Sequence, residues 1–455
     1  MLKRLSLVRV GPSDHLEVDL DERLNVFTGD NGLGKSFVLD VAWWVLARTW
    51  ATQPVMGRRK FIPGKKAPSP RKINPAQLSR KRFNSSVPRK SGNGSQAPSI
   101  GWSLRGARGH VDGSATIKPG ASPTEWTRSA GRPPLVGLVL YARIDGGFSL
   151  WDPARNYWWD SEHERPPAYK FTREEVWDGK RKDDSPGMIC EGLIRDWHDW
   201  QVNESSREFQ LLTSLLEILS PEPSERMSPG GPPRMLEPDD VRRIPMLKLP
   251  YGEVPLTHVS AGMRRILALA YLLVWSWEKH REASETLGIR PETRMVLLID
   301  EVEAHLHPRW QRVIVPAILE AIKHVQPNVS VQVLMTTHSP MVLASLEPHF
   351  EESRDQLFRF HLKNETVQLD RMDWAKHGDA TGWLVSEVFG LDEARSPEAE
   401  DALERAHAFL LSDHGKAKEA RELQGELTDL LPSLDPFWAV WRFGLQRMKL
   451  KVDAQ

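Results

Sequence analysis

The chain has 455 residues, of which 40% are hydrophobic and 27% charged, an ordinary balance for a globular protein with room for two or three domains' worth of core. No run approaches the roughly 18 consecutive apolar residues of a membrane span. The lone cysteine, Cys190, excludes an internal disulfide and a CxxC metal hook, so a reducing cytoplasm is the expected compartment.

The net charge is formally zero but unevenly spread. Between Val41 and Val111 there is no Asp or Glu, while fifteen Lys and Arg crowd the same stretch. Such local asymmetry says more about partners than the total does.

In chain order, "MLKRLSLVRV" reads as a strand, not a signal peptide, because it has no apolar h-region with a small-residue cleavage site. "LEVDL" alternates like a second strand, and "LNVFTG" is an apolar strand running into a glycine loop. "FVLDVAWWVLARTW" then has helical spacing. Residues 52–99 are rich in Pro, Gly, Ser, Asn and basic residues and read as a linker or surface loop. "SIGWSLRG" and "PPLVGLVLYARI" return to strand patterning, residues 188–219 look helical, and 220–250 are Pro-rich. From 256 the pattern sharpens: a long apolar helix in "SAGMRRILALAYLLVWSWEKH", a buried strand in "RMVLLIDE" and an amphipathic helix in "PRWQRVIVPAILEAIKHV". A second buried strand, "VSVQVLMTTHSP", precedes a hairpin turning near Asn364, and from about 372 the chain is helical and polar.

Four motifs carry chemistry. "GDNGLGKS" fits G-x-x-x-x-G-K-[ST] at every position, between a predicted strand and a predicted helix. Gly29, Asp30, Asn31, Gly32, Leu33 and Gly34 form a loop whose glycines let backbone amides turn onto phosphate oxygens. Lys35 reaches the β- and γ-phosphates and Ser36 ligates Mg²⁺. The strand "MVLLIDE" places Asp300 beside that Mg²⁺ and Glu301 where it polarises an attacking water. Alone, such an acidic pair is more often a strand end at the surface; beside a phosphate loop it gains weight. His338 lies just past another buried strand, where a plain capped core histidine is the default. "VSAGMRR" sets Ser260, Ala261, Gly262 and Met263 at a helix start, which suits either an anion or an ordinary serine N-cap.

The order of "GDNGLGKS", "VSAGM", "LLIDEVEAHLHP" and "TTHSP" resembles the ABC-type ATPase heads of the SMC, Rad50, RecF and OLD group. The "DEVEAHLHP" string is especially similar to the OLD-like, AAA_21 branch. The match covers roughly residues 1–50 and 256–370. It implies an α/β P-loop ATPase head that binds ATP and Mg²⁺ and closes as an ATP-sandwich homodimer. Gly29 to Ser36 of one copy would then face Ser260 to Met263 of the other. The resemblance makes Glu301 the catalytic base and His338 the switch that contacts the γ-phosphate, and puts residues 303–307 in the D-loop. His305 and His307 as metal ligands lack further partners at ligand spacing. Two departures stand out. Ala261 and Met263 replace residues of the full LSGGQ signature, and no Q-loop glutamine is found in residues 138–152, which hold Arg143 and Asp145.

The resulting organisation is an ATPase core in 1–50 and 251–371, an insert in 51–250 and a C-terminal helical region in 372–455. The insert divides into the basic segment 52–99, a mixed α/β lobe in 100–219 and a Pro-rich linker in 220–250. It is too long for a transporter subunit and has none of the heptads of SMC arms. The tail has no DxD pair and is too short for a Toprim nuclease, so the stand-alone layout resembles the ATPase of two-gene, Septu (PtuA-like) anti-phage systems. The partners implied are a second copy or a higher oligomer, a separate nuclease or effector protein, and nucleic acid through the 52–99 segment, with no membrane. Phe437, Trp438, Trp441 and Phe443 either pack internally or dock a partner. The alternative function is a RecF-like DNA-repair ATPase that binds DNA directly.

If the 52–99 segment touches phosphates, neutralising Arg80, Lys81 and Arg82 weakens DNA binding and flattens its salt dependence. An unchanged slope of log affinity against log salt removes that segment from any nucleic-acid role.

Overall fold

The computed structural model describes residues 1–51, 98–106, 109–116, 135–157, 168–182, 186–203, 205–412, 416–448 and 450. Nearly all of the basic segment expected to meet nucleic acid lies outside them. The chain divides into two compact units, Met1–Gly378 and Asp379–Gln455.

Two sheets organise the first unit. Strands β1 (Leu2–Val10) and β2 (Ser13–Asp19) join β4 (Ser99–Gly106) and β5 (Gly109–Thr116) in an antiparallel sheet of order β2-β1-β4-β5. The main sheet takes β3 (Leu24–Gly29), β6 (Leu138–Ala142), β7 (Phe148–Trp151), β8 (Tyr169–Phe171), β14 (Arg294–Ile299), β15 (Ser330–Thr336), β16 (Asp355–Lys363) and β17 (Thr366–Met372). Its order is β17-β16-β3-β15-β14-β6-β7-β8. The five central strands, from β16 to β6, run parallel. They need apolar residues on both faces, which is why "LNVFTG" and "RMVLLI" read as unbroken apolar runs. The short strands β9 (Lys180–Arg181), β10 (Met188–Cys190), β11 (Ser228–Pro229), β12 (Met246–Leu249) and β13 (Gly252–Pro255) form two small sheets.

Residues 99–171 thus supply strands to both sheets. β4 and β5 extend β1, and β6 to β8 form one flank of the main sheet. The Lys35–Ala47 helix contributes to a core that also draws on both sheets, and eleven of its residues are buried on all sides, with Trp43 fully enclosed. A helix buried all round carries little amphipathic signal, so the run "FVLDVAWWVLA" is apolar on more than one face. Arg48 ends it in the left-handed region (φ 56°) with its guanidinium 4.4 Å over the Trp102 ring.

The single amphipathic helix expected from Pro308 onward is two helices, Pro308–Gln311 and Ile314–Val325. Pro316 is the reason: it lacks the N–H that a continuous helix would donate to the Arg312 carbonyl. The hairpin near Asn364 is as expected. Asn364 and Glu365 both have positive φ (48° and 59°), the conformation of a two-residue turn whose twist matches its strands.

The second unit holds the helices Ala380–Leu384, Pro397–Leu411, Ala417–Leu430 and Phe437–Arg447. Phe437 and Trp441 are buried against Phe409 and Leu427 in this unit's own core, Trp438 is partly buried, and Phe443 is 71% exposed.

One ion pair anchors the start of β3, the strand that leads into the glycine loop. The Asp355 carboxylate is fully buried and pairs with Arg23 through both nitrogens of its fork. It also accepts from Leu24 N (3.2 Å) and Glu351 N (2.7 Å). Asp355→Ala leaves two amides unpaired and Arg23 with only Glu351 (2.7 Å) and the His349 carbonyl (2.6 Å) as partners, an expected loss of about 3 kcal/mol in urea unfolding. The joint Arg23→Met, Asp355→Leu variant is expected to recover part of that loss; equal destabilisation in both would mean that the charge pairing is not what holds this corner.

Candidate functional site

β3, β15 and β14 are parallel neighbours, so the segments that follow them emerge at one end of the sheet. Those segments are the glycine loop, the "TTHS" stretch and the Asp300–Glu301 pair. The loop is possible because Gly29, Gly32 and Gly34 adopt φ of 119°, 79° and 106°. At Gly29 a Cβ would fall 1.9 Å from the Phe360 carbonyl oxygen, so no other residue fits. Asp30, Asn31 and Gly32 are exposed, and Leu33 packs partly on the core.

Lys35 Nζ donates to the carbonyls of Gly29 and Asp30, each at 2.7 Å. Burial lowers its pKa to about 8, against the opposing pull of Glu301 and the other nearby carboxylates. Ser36 Oγ donates to Asp300 Oδ1 at 2.9 Å, and Thr336 Oγ1 donates to the same oxygen at 2.8 Å. Burial raises the Asp300 pKa even though both hydroxyls and the cations Arg265 and Lys35 favour its ionised form. A desolvated carboxylate beside a serine hydroxyl is a hard-oxygen donor set that suits Mg²⁺. Together with the positive-φ glycine cradle, these residues fit a magnesium–nucleoside triphosphate.

Glu301 follows with φ 47°, a left-handed conformation that costs a non-glycine residue about 1–3 kcal/mol. Hydrogen bonds hold it and the peptide before it, among them one from Ala304 N to the Glu301 carbonyl (2.9 Å). Thr336 Oγ1 accepts from Glu301 N at 2.7 Å, and Arg265 Nη2 donates to the carbonyls of Asp300 (2.5 Å) and Glu301 (2.9 Å). The Glu301 carboxyl is raised by burial first, then by Asp300 and Glu303, which makes it a better proton acceptor. His338 is half-buried. Burial, and Lys35 after it, depress its pKa to about 4, so its ring is neutral at physiological pH and able to offer a single N–H. Glu303 fixes its backbone: Oε1 accepts from His338 N (2.5 Å) and Oε2 from Thr337 Oγ1 (2.8 Å).

The structure therefore gathers Gly29–Ser36, Asp300, Glu301 and His338 at one sheet end. Ser260 is the N-cap of the Ala261–Thr286 helix, its Oγ accepting from Met263 N at 3.3 Å. Ala261 is exposed and Met263 half-buried. Gly262 lies where a Cβ would meet the His305 carbonyl oxygen at 2.6 Å, so the helix start rests on the loop after Glu301. Among the described residues no hydrogen bond joins 260–263 to the glycine loop. His307 is also a cap, accepting from Arg309 N, and the described residues hold no cluster of three or more His, Cys, Asp and Glu suited to a metal ion.

Arg143 and Asp145 are committed to their own turn. Arg143 donates to Phe148 O, Ser149 Oγ and Phe171 O, and Asp145 Oδ1 accepts from Gly147 N. Sequence reasoning missed Arg265, Thr336, Glu303 and Asp40. Asp40, one turn after Ser36, accepts from Tyr141 Oη at 3.2 Å and is raised to about 7, by burial and then by Asp300. Thr336 sits inside the quoted "TTHSP", but nothing in the letters says that its hydroxyl serves both Asp300 and Glu301.

Residues 248–344 match the family model described as "AAA domain, putative AbiEii toxin, Type IV TA system". The Septu protein PtuA of Bacillus thuringiensis is 28% identical over 152 residues, 32% of this chain and 35% of that protein. The Retron Ec83 probable ATPase of Escherichia coli is 27% identical over 135 residues, 29% of this chain and 22% of that protein. The Retron Vc95 probable ATPase of Vibrio cholerae serotype O1 biovar El Tor is 36% identical over 72 residues, 16% and 13% of the two chains. The chain spans about a third or less of the length of these relatives. Among solved structures, the SMC head domain from Thermotoga maritima aligns over 82% of this chain at 13% identity, with a TM-score of 0.37.

Arg265 is the residue whose removal separates positioning from binding. Arg265→Ala frees the Asp300 and Glu301 carbonyls without touching the glycine loop. In an ATP-hydrolysis assay it is expected to lower kcat about tenfold or more while the KM for ATP stays within about twofold. Guanidinium ion added to the variant is expected to restore part of the rate, and a KM effect without a kcat effect would contradict a positioning role.

Proposed function

We propose that this chain is a Mg²⁺-dependent, ABC-type ATPase that works as a nucleotide-gated dimeric switch. The observation that carries this reading is the convergence of Lys35, Ser36, Asp300, Glu301 and His338 at the ends of three adjacent parallel strands. In this reading the loop amides and Lys35 would hold the triphosphate, and Ser36 and Asp300 would hold Mg²⁺, which supplies charge neutralisation at the phosphates when bound. Glu301, with its raised pKa, orients a water and takes its proton. The neutral His338 ring donates toward the terminal phosphate, and Glu303 sets its height by gripping the backbone.

Ser260 to Met263 make no bond to their own glycine loop, which is the arrangement expected if they complete the site of a second copy. The likeness to proteins named as Septu PtuA and as retron ATPases supports a place in anti-phage defence. In that role a separate nuclease or effector would read the open or closed state, and the absence of nucleolytic chemistry among the assigned residues agrees with such a division of labour. The reading that competes is a repair ATPase that itself binds DNA.

The test is hydrolysis of ATP by the purified chain with and without duplex DNA, with Glu301→Gln as the blank, alongside its mass in solution. Glu301→Gln is expected to abolish turnover and, with saturating ATP, to double the particle mass in mass photometry. A variant that stays monomeric under those conditions sinks the sandwich. Strong stimulation of the wild type by DNA alone would favour the repair reading.

A further inference from the structure

A second cavity lies at the opposite end of the main sheet. It is open, has a volume of about 660 Å³, and is lined by Glu22, Arg105, Arg290, Glu292, Arg294 and Arg354, with Thr293 and Ser330 and the apolar Met1 and Pro291. Arg294 opens β14 and Asp300 follows its last residue, so the two sites sit at the two ends of one strand, about 20 Å apart at roughly 3.3 Å per residue. It shares no residue with the nucleotide site.

Its charge is not balanced from within. Glu22 is shared by Lys3 (2.9 Å) and Arg105 (3.4 Å), Glu292 is taken by Arg294 (2.8 Å), and Arg354 leans on Glu351 (3.4 Å). Arg290 has no ion-pair or hydrogen-bond partner among the described residues. Four arginines thus line one concavity with two carboxylates, Glu22 and Glu292. All four cations lining it are arginines, whose planar forks match tetrahedral oxyanions two bonds at a time. The lining has no aromatic residue and its apolar members are only Met1 and Pro291, so it offers an acidic peptide little apolar anchorage. The volume falls within the range of small-ligand sites.

We propose that this cavity binds the phosphate groups of a nucleotide ligand, either free or within a nucleic-acid strand. Arg290 supplies an uncommitted guanidinium and Arg105 an exposed one held only by a 3.4 Å contact to Glu22, and Thr293 and Ser330 complete the donor set. The site is independent of the glycine loop, so it survives loss of the ATPase site.

The experiment uses the full chain carrying Lys35→Ala, which silences the glycine loop. Sodium tripolyphosphate is titrated by calorimetry, and a 5′-fluorescein-labelled 12-nucleotide single-stranded DNA by fluorescence anisotropy. At least one probe is expected to bind, and adding Arg105→Ala with Arg290→Ala is expected to weaken it about tenfold or more. Arg290→Lys, which keeps the charge but not the fork, should fall in between. Binding of tripolyphosphate alone assigns the cavity to a free nucleotide; binding of DNA with a steep salt dependence assigns it to a strand. Failure of both probes to bind the Lys35→Ala chain, or binding that the two arginine substitutions leave unchanged, overturns the proposal. Both arginines are exposed and outside the core, so an unaltered thermal transition will show that any loss is not unfolding.

Discussion

One carboxylate oxygen organises the site. Asp300 Oδ1 accepts from Ser36 at the start of the helix after β3 and from Thr336 at the end of β15. Three chain segments, Ser36 lying 264 residues before Asp300 and Thr336 36 after it, are thereby tied at a point where burial opposes the charge that the hydroxyls favour. The oxygen sits there because β14, β15 and β3 are parallel and in register, Leu298 beside Leu334 and Thr336 beside Phe27. Parallel neighbours need crossovers, and crossovers let a sheet bring distant loops to one end. A slip of one residue in any of these strands would turn Asp300 or Thr336 to the other face and dissolve the arrangement.

The legible part of this protein is the part governed by short-range rules. A glycine loop between an apolar strand and a helix can be read because positive φ and backbone access demand glycine locally. The Asn364–Glu365 turn can be read for a similar reason. The central strands announce themselves because burial on both faces removes polar residues from the run. The order of strands in the sheets could not be read. That residues 99–116 extend β1 and residues 138–171 flank β14 follows from long-range pairing, which leaves no periodic trace. The split at Pro316 was available in the letters, since a proline there removes one helical donor, but the continuous apolar pattern outweighed it. Arg265 was invisible as a functional residue because its neighbour Arg264 is the same type and only one of them reaches the strand end. Arg264 instead donates to Val259 O and Thr257 O, bracing the turn before the helix.

That difference between two adjacent arginines bears on how the site would be switched. The Ala261–Thr286 helix touches the segment after β14 at two places within its first turns. Gly262 lies against the His305 carbonyl, and Arg265 holds the carbonyls of Asp300 and Glu301. Both contacts end on backbone, one of them through the Arg265 side chain. A shift of the helix start therefore bears on the peptide that carries Glu301. In the proposed dimer, the same helix start would meet the partner's nucleotide. Occupancy of the partner's site would then bear directly on the backbone that aims this chain's own general base. Glu301 stands in a left-handed conformation held by bonds from Arg265, Thr336 and Ala304, so a shift of the helix has a strained residue to act on. A site built this way would be sensitive to closure because Arg265, one of the groups that hold the Glu301 peptide, rides on the helix that the proposed dimer engages.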